Sequence, residues 1–235
     1  MRTTLEVRDL YVGYHADLHI LRGVTLSARE AAITAVLGAN GTGKSTLLKA
    51  ICGFLRPARG EILLGGRSLL DVEPHAMVRL GVAYIPQHPG IFPYMTVEEN
   101  LLIGVWSFRY QRARVRRKLT ENYERFPMLR DLRHEPAGRL SGGQQRMVEI
   151  GRALMADPKL LLVDEPTAGL AKLVRRDVYA TLTRLRAEGR AILLVDQEIR
   201  EAVKVADHVY VLDLGRNRVD GPAAEFADAR TVLWG

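Results

Sequence analysis

Short apolar runs alternate with stretches of helical spacing along most of this 235-residue chain. Ile33-Thr34-Ala35-Val36-Leu37, Val82-Ala83-Tyr84-Ile85, Leu160-Leu161-Leu162-Val163 and Ala191-Ile192-Leu193-Leu194-Val195 contain no charged residue. Runs of this length predict strands covered on both faces, as in a parallel sheet flanked by helices. Between the last two, Val174, Val178, Leu182 and Leu185 fall at helical spacing, and Gly189 supplies a stop. Strand, helix, strand in that order predicts parallel neighbours joined by a right-handed crossover. The opening third has a different texture. Leu5, Val7 and Leu10 mark one short strand, Val24, Leu26 and Ala28 another, and Gly60 to Gly66 reads as a strand ending in a turn. After a short helix near Pro74 to Leu80, the pattern turns helical from Thr96, an N-cap candidate with Glu99 three residues on, until about Leu140. The expected fold is α/β: a mostly parallel core, an antiparallel β part at the N-terminus and an inserted helical subdomain. The expected division is one domain over 1–235, with core segments 1–94 and 140–235 and the insert at 95–139. A short helical tail is expected from Gly221-Pro222 onward.

The first of the buried strands runs directly into Gly38-Ala39-Asn40-Gly41-Thr42-Gly43-Lys44-Ser45-Thr46, which fits the phosphate-loop pattern of Gly, four residues, Gly, Lys and Ser or Thr. Leu47, Leu48 and Ile51 then share one face of a helix opening near Lys44. A strand feeding a glycine-rich turn and a helix aims backbone N–H groups and the positive end of the helix dipole at one point, where an anion sits. In the mechanics of this motif Lys44 neutralises the β- and γ-phosphates and the Ser45 hydroxyl is a ligand of Mg2+. The chain is therefore expected to bind ATP with Mg2+.

Three other strand ends carry candidate chemistry, since ligands sit at the carboxyl edge of a parallel sheet. Asp164 closes the Leu160 run and is expected to help hold the metal. Glu165 beside it is a second carboxylate, free to accept a proton from an attacking water, and so points to hydrolysis rather than binding alone. Gln87 follows the strand ending at Ile85, and Gln197 follows the one ending at Asp196. Ser141-Gly142-Gly143-Gln144 precedes a helix on which Met147, Ile150 and Leu154 share a face. A serine and two glycines there form either a second anion site or an ordinary N-cap. Tyr14 either stacks on an adenine ring or fills the strand surface, and its position alone does not decide between these.

Charge adds one feature. Of a net +7, the segment from Ser107 to Arg133 contributes nine basic residues against three acidic ones, or +6. A solvated helix face is the expected reading, ahead of a contact with nucleic acid or anionic lipid, because no aromatic residues interleave with the arginines at regular spacing. The single cysteine, Cys52, is expected to be a packed thiol on the helix after the phosphate loop. No run approaches the length of a membrane span, and Met1 to Glu6 lacks the apolar core of a signal peptide, so a cytoplasmic location is expected.

Over nearly its whole length the sequence resembles the ATP-binding subunits of ABC transporters. Leu140 to Gln144 is similar to the signature motif, Gly38 to Ser45 to Walker A, and Leu160 to Asp164 to Walker B. The resemblance implies that Glu165 is the general base. It implies that Gln87 is the Q-loop glutamine, joining the metal site to a transmembrane partner, and that Tyr14 is the aromatic that stacks on adenine. It further implies a head-to-tail dimer, each ATP lying between Walker A of one chain and Ser141, Gly142, Gly143 and Gln144 of a second ATPase subunit. Transmembrane permease subunits are implied as partners, with the helical insert as docking surface and the ATPase peripheral on the inner face of the membrane. No nucleic-acid partner is expected.

Finer details resemble the shorter ATPase subunit of the branched-chain amino acid branch: Met95 to Leu101, Phe126 to Leu129, Ile150 to Met155, Asp164 to Ala171, Val195-Asp196-Gln197 and the terminal Leu233-Trp234-Gly235. The implied function is powering import of branched-chain amino acids or related small solutes. Gln197 stands where most of the family has the switch histidine, although this branch often carries glutamine. Ala171 stands where many members have the aspartate of the D-loop. A lipopolysaccharide-type export ATPase is the nearest alternative, and Gln197 argues against it because those often keep the histidine. ABC ATPases acting on DNA or ribosomes usually carry two cassettes or a long coiled coil, neither of which is legible here.

Overall fold

The computed structural model describes residues 3–15, 18–88 and 90–226. In chain order, β1 (Thr3–His15) and β2 (Leu18–Arg29) precede β3 (Ile33–Leu37), α1 (Lys44–Ile51), β4 (Arg59–Leu64), β5 (Arg67–Ser68), α2 (Pro74–Met77) and β6 (Val82–Ile85). Four helices come next: α3 (Val97–Ile103), α4 (Arg112–Arg125), α5 (Pro127–Asp131) and α6 (Gly142–Met155). The chain then forms β7 (Leu160–Asp164), α7 (Lys172–Ala187), β8 (Ala191–Asp196), α8 (Ile199–Val205), β9 (His208–Asp213) and β10 (Arg216–Pro222).

Two sheets result. β2, β1, β4 and β5 form an antiparallel sheet, and the larger sheet has the order β10-β9-β3-β8-β7-β6. In the larger one β9, β3, β8, β7 and β6 are parallel and only β10 runs against its neighbour. The uncharged runs have a simple cause in this arrangement. Along β7, Leu160 and Leu162 pack with α1 and the antiparallel sheet, while Leu161 and Val163 pack with the helices on the other side. Each strand residue is buried whichever face it points to, so a charged side chain has no place in the run.

The helical stretch between β6 and β7 begins where expected. Thr96 caps α3 in a capping box, its hydroxyl accepting from Glu99 N at 3.2 Å while the Glu99 carboxylate accepts from Thr96 N at 2.7 Å. Val97, Leu101, Phe126, Leu129, Val148 and Met155 join one cluster, so α3, α5 and α6 are welded to the core side by side.

Three expectations need correcting. Cys52 is buried but lies one residue past α1, as its C-cap. The basic helix α4 is not a wholly solvated face: Lys118 is buried and paired with Glu121 at 2.7 Å and Asp157 at 3.1 Å, and Arg125 grips Glu188 through two nitrogens. At the other end, Gly221 and Pro222 belong to β10 rather than to a helical tail, and among the described residues a 3-10 turn, Ala223–Phe226, follows. Leu233-Trp234-Gly235 lies outside the described residues. Among the described residues no helix is long and apolar enough to cross a membrane.

Candidate active site

Because β3, β8, β7 and β6 are adjacent and parallel, their carboxyl ends lie in a row, and each end carries residues singled out in the sequence. β3 opens into the phosphate loop. Gly41 and Gly43 adopt φ of +82° and +99°, and a Cβ on Gly38 would come within 2.4 Å of the Leu212 carbonyl on β9. Glycine is required at the first two for backbone conformation and at the third for close approach. Thr42 and Thr46 are buried, the Thr42 hydroxyl donating to Ala39 O at 3.0 Å, whereas Ala39, Asn40 and Gly41 are exposed at the rim.

Lys44 is buried, and its ammonium donates to the Gly38 and Ala39 carbonyls at 2.9 Å each and lies 3.6 Å from Glu165 Oε1. Ser45 Oγ donates to Asp164 Oδ1 at 3.1 Å, and the Tyr84 hydroxyl donates to Asp164 Oδ2 at the same distance. Gln87 meets the site through Glu165, its amide donating to Oε2 at 2.9 Å. Lys44, Ser45, Gln87, Asp164 and Glu165, from three places spread over more than a hundred residues of sequence, thus form one connected group.

Burial raises the Asp164 carboxyl above its ordinary value against the pull of Ser45, Tyr84 and Lys44. Glu165 is raised chiefly by burial as well, opposed by Lys44 and reinforced by Asp164 and Asp196. Glu165 also holds a φ of +40°, uncommon for a residue with a side chain and typical of functional sites. Its N–H donates to Val195 O at 2.8 Å, which fixes this turn against β8.

The other candidates stand apart from that group. Tyr14 is 53% exposed near the N-terminal hairpin turn, yet its hydroxyl is 3.4 Å from the ammonium of Lys49 on α1, so it borders the phosphate-loop helix. Gln197 is exposed, and only its backbone is tied down, Gln197 N donating to Asp196 Oδ1 at 2.8 Å. Ser141 caps α6 in a second capping box with Gln144, and Ser141 and Gly142 are exposed. Gly143 packs so closely on α7 that a Cβ there would come within 2.6 Å of Val174. Among the described residues no hydrogen bond or ion pair joins Ser141 to Gln144 with the phosphate loop.

Sequence reasoning missed a second layer. Arg146 and Glu149 on α6 are buried and ion-paired, and Arg146 also donates to the carbonyls of Pro86, at 2.7 Å, and Gln87. Glu149 accepts from Gly90 N at 2.9 Å, and Arg152 donates to Gly90 O at 2.7 Å. The helix that starts at Ser141 therefore grips the segment carrying Gln87. Asp196 is likewise buried and accepts from Gln197 N, Glu198 N and the Tyr179 hydroxyl. The one available signal, a charged i, i+3 pair beside an apolar helix stripe, is equally that of a solvated face.

The sequence profile of the ABC transporter family matches residues 21–168. The chain belongs to the ABC transporter family. The high-affinity branched-chain amino acid transport ATP-binding protein BraG of Pseudomonas aeruginosa is 38% identical over 86% of this chain and 86% of its own length. The lipopolysaccharide export system ATP-binding protein LptB of Acidithiobacillus ferridurans is 30% identical over 97% of this chain and 94% of its own. Among solved structures, an ATP-binding cassette of an ABC transporter in its ADP conformation superposes with a TM-score of 0.86 at 29% identity, covering 99% of this chain and 97% of that one. The protein is an ATP-hydrolysing ABC transporter subunit with the fold of a phosphate-loop ATPase.

Proposed function

We propose that this ABC ATPase hydrolyses ATP at the row of strand ends formed by β3, β8, β7 and β6, and that the work drives import of branched-chain amino acids or related small solutes. The observation that carries the site is the connected group of Lys44, Ser45, Asp164, Glu165 and Gln87. Lys44 exchanges its two carbonyl partners for the β- and γ-phosphates, and the N–H groups of residues 39 to 46 take the rest of their charge. Tyr14 supplies a ring for adenine beside α1. Glu165, its pKa raised by burial and its carboxylate steadied by the Gln87 amide, takes a proton from the attacking water. Gln197 orients that water and donates to the γ-phosphate.

Mg2+ fits the same residues. Ser45 Oγ and Asp164 Oδ1 already lie together, and Tyr84 fixes the other carboxylate oxygen, with the Gln87 side-chain oxygen as a third donor. Among the described residues no three His, Cys, Asp or Glu side chains cluster as a metal cage, in keeping with an ion that takes most of its ligands from phosphates and water. Bound there, the ion would neutralise charge building on the transferred phosphoryl group.

One chain supplies half of each site. Ser141, Gly142, Gly143 and Gln144 share no hydrogen bond or ion pair with their own phosphate loop among the described residues and would close over the ATP of a second ATPase subunit. The whole chain acts as one ATPase unit in which residues 95–139 form the insert. A groove lined by Phe54 and Tyr84 of the core and by Ile103, Gly104 and Arg152 suits a transmembrane permease subunit, which would hold the ATPase at the inner face of the membrane. No nucleic acid enters this reading.

The greater identity to the branched-chain transport protein than to the lipopolysaccharide export protein favours import, as does Gln197. The test is uptake of labelled leucine, urea and phenylalanine in cells with the chromosomal copy replaced by Glu165→Gln. Loss of uptake of one of these solutes supports the reading. Normal uptake of all three with a defect in lipopolysaccharide export favours the rival.

A further inference from the structure

The turn ahead of α4 and the arginine-rich first half of that helix carry a surface that ATP hydrolysis leaves unused. Between Val105 and Thr120 there are six basic residues and no acidic one. Lys118 is consumed in its buried ion pairs and Arg117 lies 3.6 Å from Glu121. Arg109, Arg112, Arg114 and Arg116 have no carboxylate within ion-pair distance among the described residues. Trp106 and Tyr110, 66% and 82% exposed, flank Arg109, whose guanidinium lies 4.2 Å from one ring centroid and 4.4 Å from the other. Arg114 stacks in the same way on Phe108, at 3.9 Å. Aromatic residues do associate with these arginines, through space rather than at regular sequence intervals.

We infer that this turn and the first half of α4 form a contact for the anionic headgroups of a lipid bilayer. The partner must be negative, because four cations stand together with no carboxylate to neutralise them among the described residues, the hydrogen bonds of Arg109 and Arg114 going only to Trp106 O, the Tyr110 hydroxyl and Gln111 Oε1. A bilayer fits better than single-stranded nucleic acid, because Arg109 already lies over both exposed rings, Trp106 and Tyr110, on which bases would stack, and Phe108 is buried. Exposed Trp and Tyr side by side with arginine is also the composition of a membrane–water interface, where the ring sits at headgroup level and the cation meets phosphate. The apolar side of the segment, Val105, Phe108, Val115 and Leu119, is turned into the helical core, so the chain would lie on the surface and not insert. The inference rests on the reading of a subunit that works beside a membrane, but its test needs no transport.

The full chain is sedimented with vesicles of phosphatidylcholine alone and of equal parts phosphatidylcholine and phosphatidylglycerol, at about 0.15 M salt. The parent should bind the anionic vesicles only. Each surface cation strengthens such partitioning about fivefold, so Arg109→Gln, Arg112→Gln and Arg116→Gln together should weaken it about a hundredfold while ATP hydrolysis persists. A second measurement uses Trp234→Phe, which leaves Trp106 as the single tryptophan. Its emission should shift to the blue with anionic vesicles. Equal binding to both vesicle types, no binding to the anionic ones, a triple variant that binds like the parent, or release of bound protein by duplex DNA in preference to lipid would each overturn the inference. A transport defect without these vesicle results would bear on the proposed function alone.

Discussion

Gln87 Nε2 donates to Glu165 Oε2 at 2.9 Å, tying the end of β6 to the acid at the end of β7. The residue proposed to sense the permease and the residue proposed to take the proton are thus one hydrogen bond apart. Because Arg146 on α6 holds the Gln87 carbonyl, any shift of α6 is passed to Glu165 through a single side chain.

Replacing Glu165 with Gln keeps the shape of that contact and removes the base. ATP affinity should be retained while turnover falls about 10²- to 10⁴-fold. Equilibrium nucleotide binding and steady-state phosphate release measure the two separately, and gel filtration with ATP should show a trapped dimer. A variant that hydrolyses at the parental rate removes Glu165 from the mechanism.

The pH profile follows from the same carboxylate. Burial raises the Glu165 pKa, so the group stays protonated, and inactive as a base, to a higher pH than an ordinary glutamate. As pH rises through the folded value the carboxylate forms and kcat should climb. The acid limb of kcat should therefore lie above the usual glutamate value of about 4.3. The same limb should be missing from the residual activity of Glu165→Gln.

Gln197 is tied only through its backbone and cannot gain a proton near neutral pH. Its help is confined to orientation and hydrogen bonding in the transition state, where losing one donor costs about 10²- to 10³-fold. Gln197→Ala should lower kcat by that order and leave nucleotide affinity nearly intact. Parental turnover would reduce Gln197 to the rim of the turn that Asp196 holds.

The Arg146–Glu149 pair should dominate the stability of the α6 side. Arg146→Met removes the nearest cation from the buried Glu149 carboxylate and leaves it the Gly90 N–H and Arg152 at 4.0 Å, a change worth at most about 3–5 kcal/mol. In a chain of this size that lowers Tm by roughly 10 °C. Replacing both residues with Met and Leu should recover part of the loss, since the buried carboxylate goes with its cation and only Arg152, still bonded to Gly90 O, loses an ion partner. Differential scanning calorimetry of the two variants separates the pair from a simple packing defect.

Ala171 occupies the N-cap of α7 with extended backbone and no side-chain cap. Ala171→Asp offers the missing acceptor and should stabilise the helix by about 1 kcal/mol. Thermal unfolding should move up by about 2–4 °C. An unchanged Tm would mean that water already satisfies these N–H groups at no cost.

The sequence by itself determined the strands up to β8 apart from the short β5, the phosphate loop and the Thr96 capping box, whereas β9 and β10 went unread. Each of these is local: a run of four or five uncharged residues is forced when both faces of a strand are covered, and a glycine or a cap answers to its own backbone. It also marked Asp164, Glu165, Gln87 and Gln197, because the end of a buried strand is a place that periodicity reveals. What it left undecided was neighbourhood. That β6, β7, β8 and β3 stand side by side depends on strand order, and only that order brings Gln87 to Glu165 and Ser45 to Asp164. Arg146 and Glu149 were illegible for a further reason. A charged pair at i, i+3 reads as surface along a helix until another segment, here Pro86, Gln87 and Gly90, comes down over it and offers its carbonyls and an N–H group in place of water.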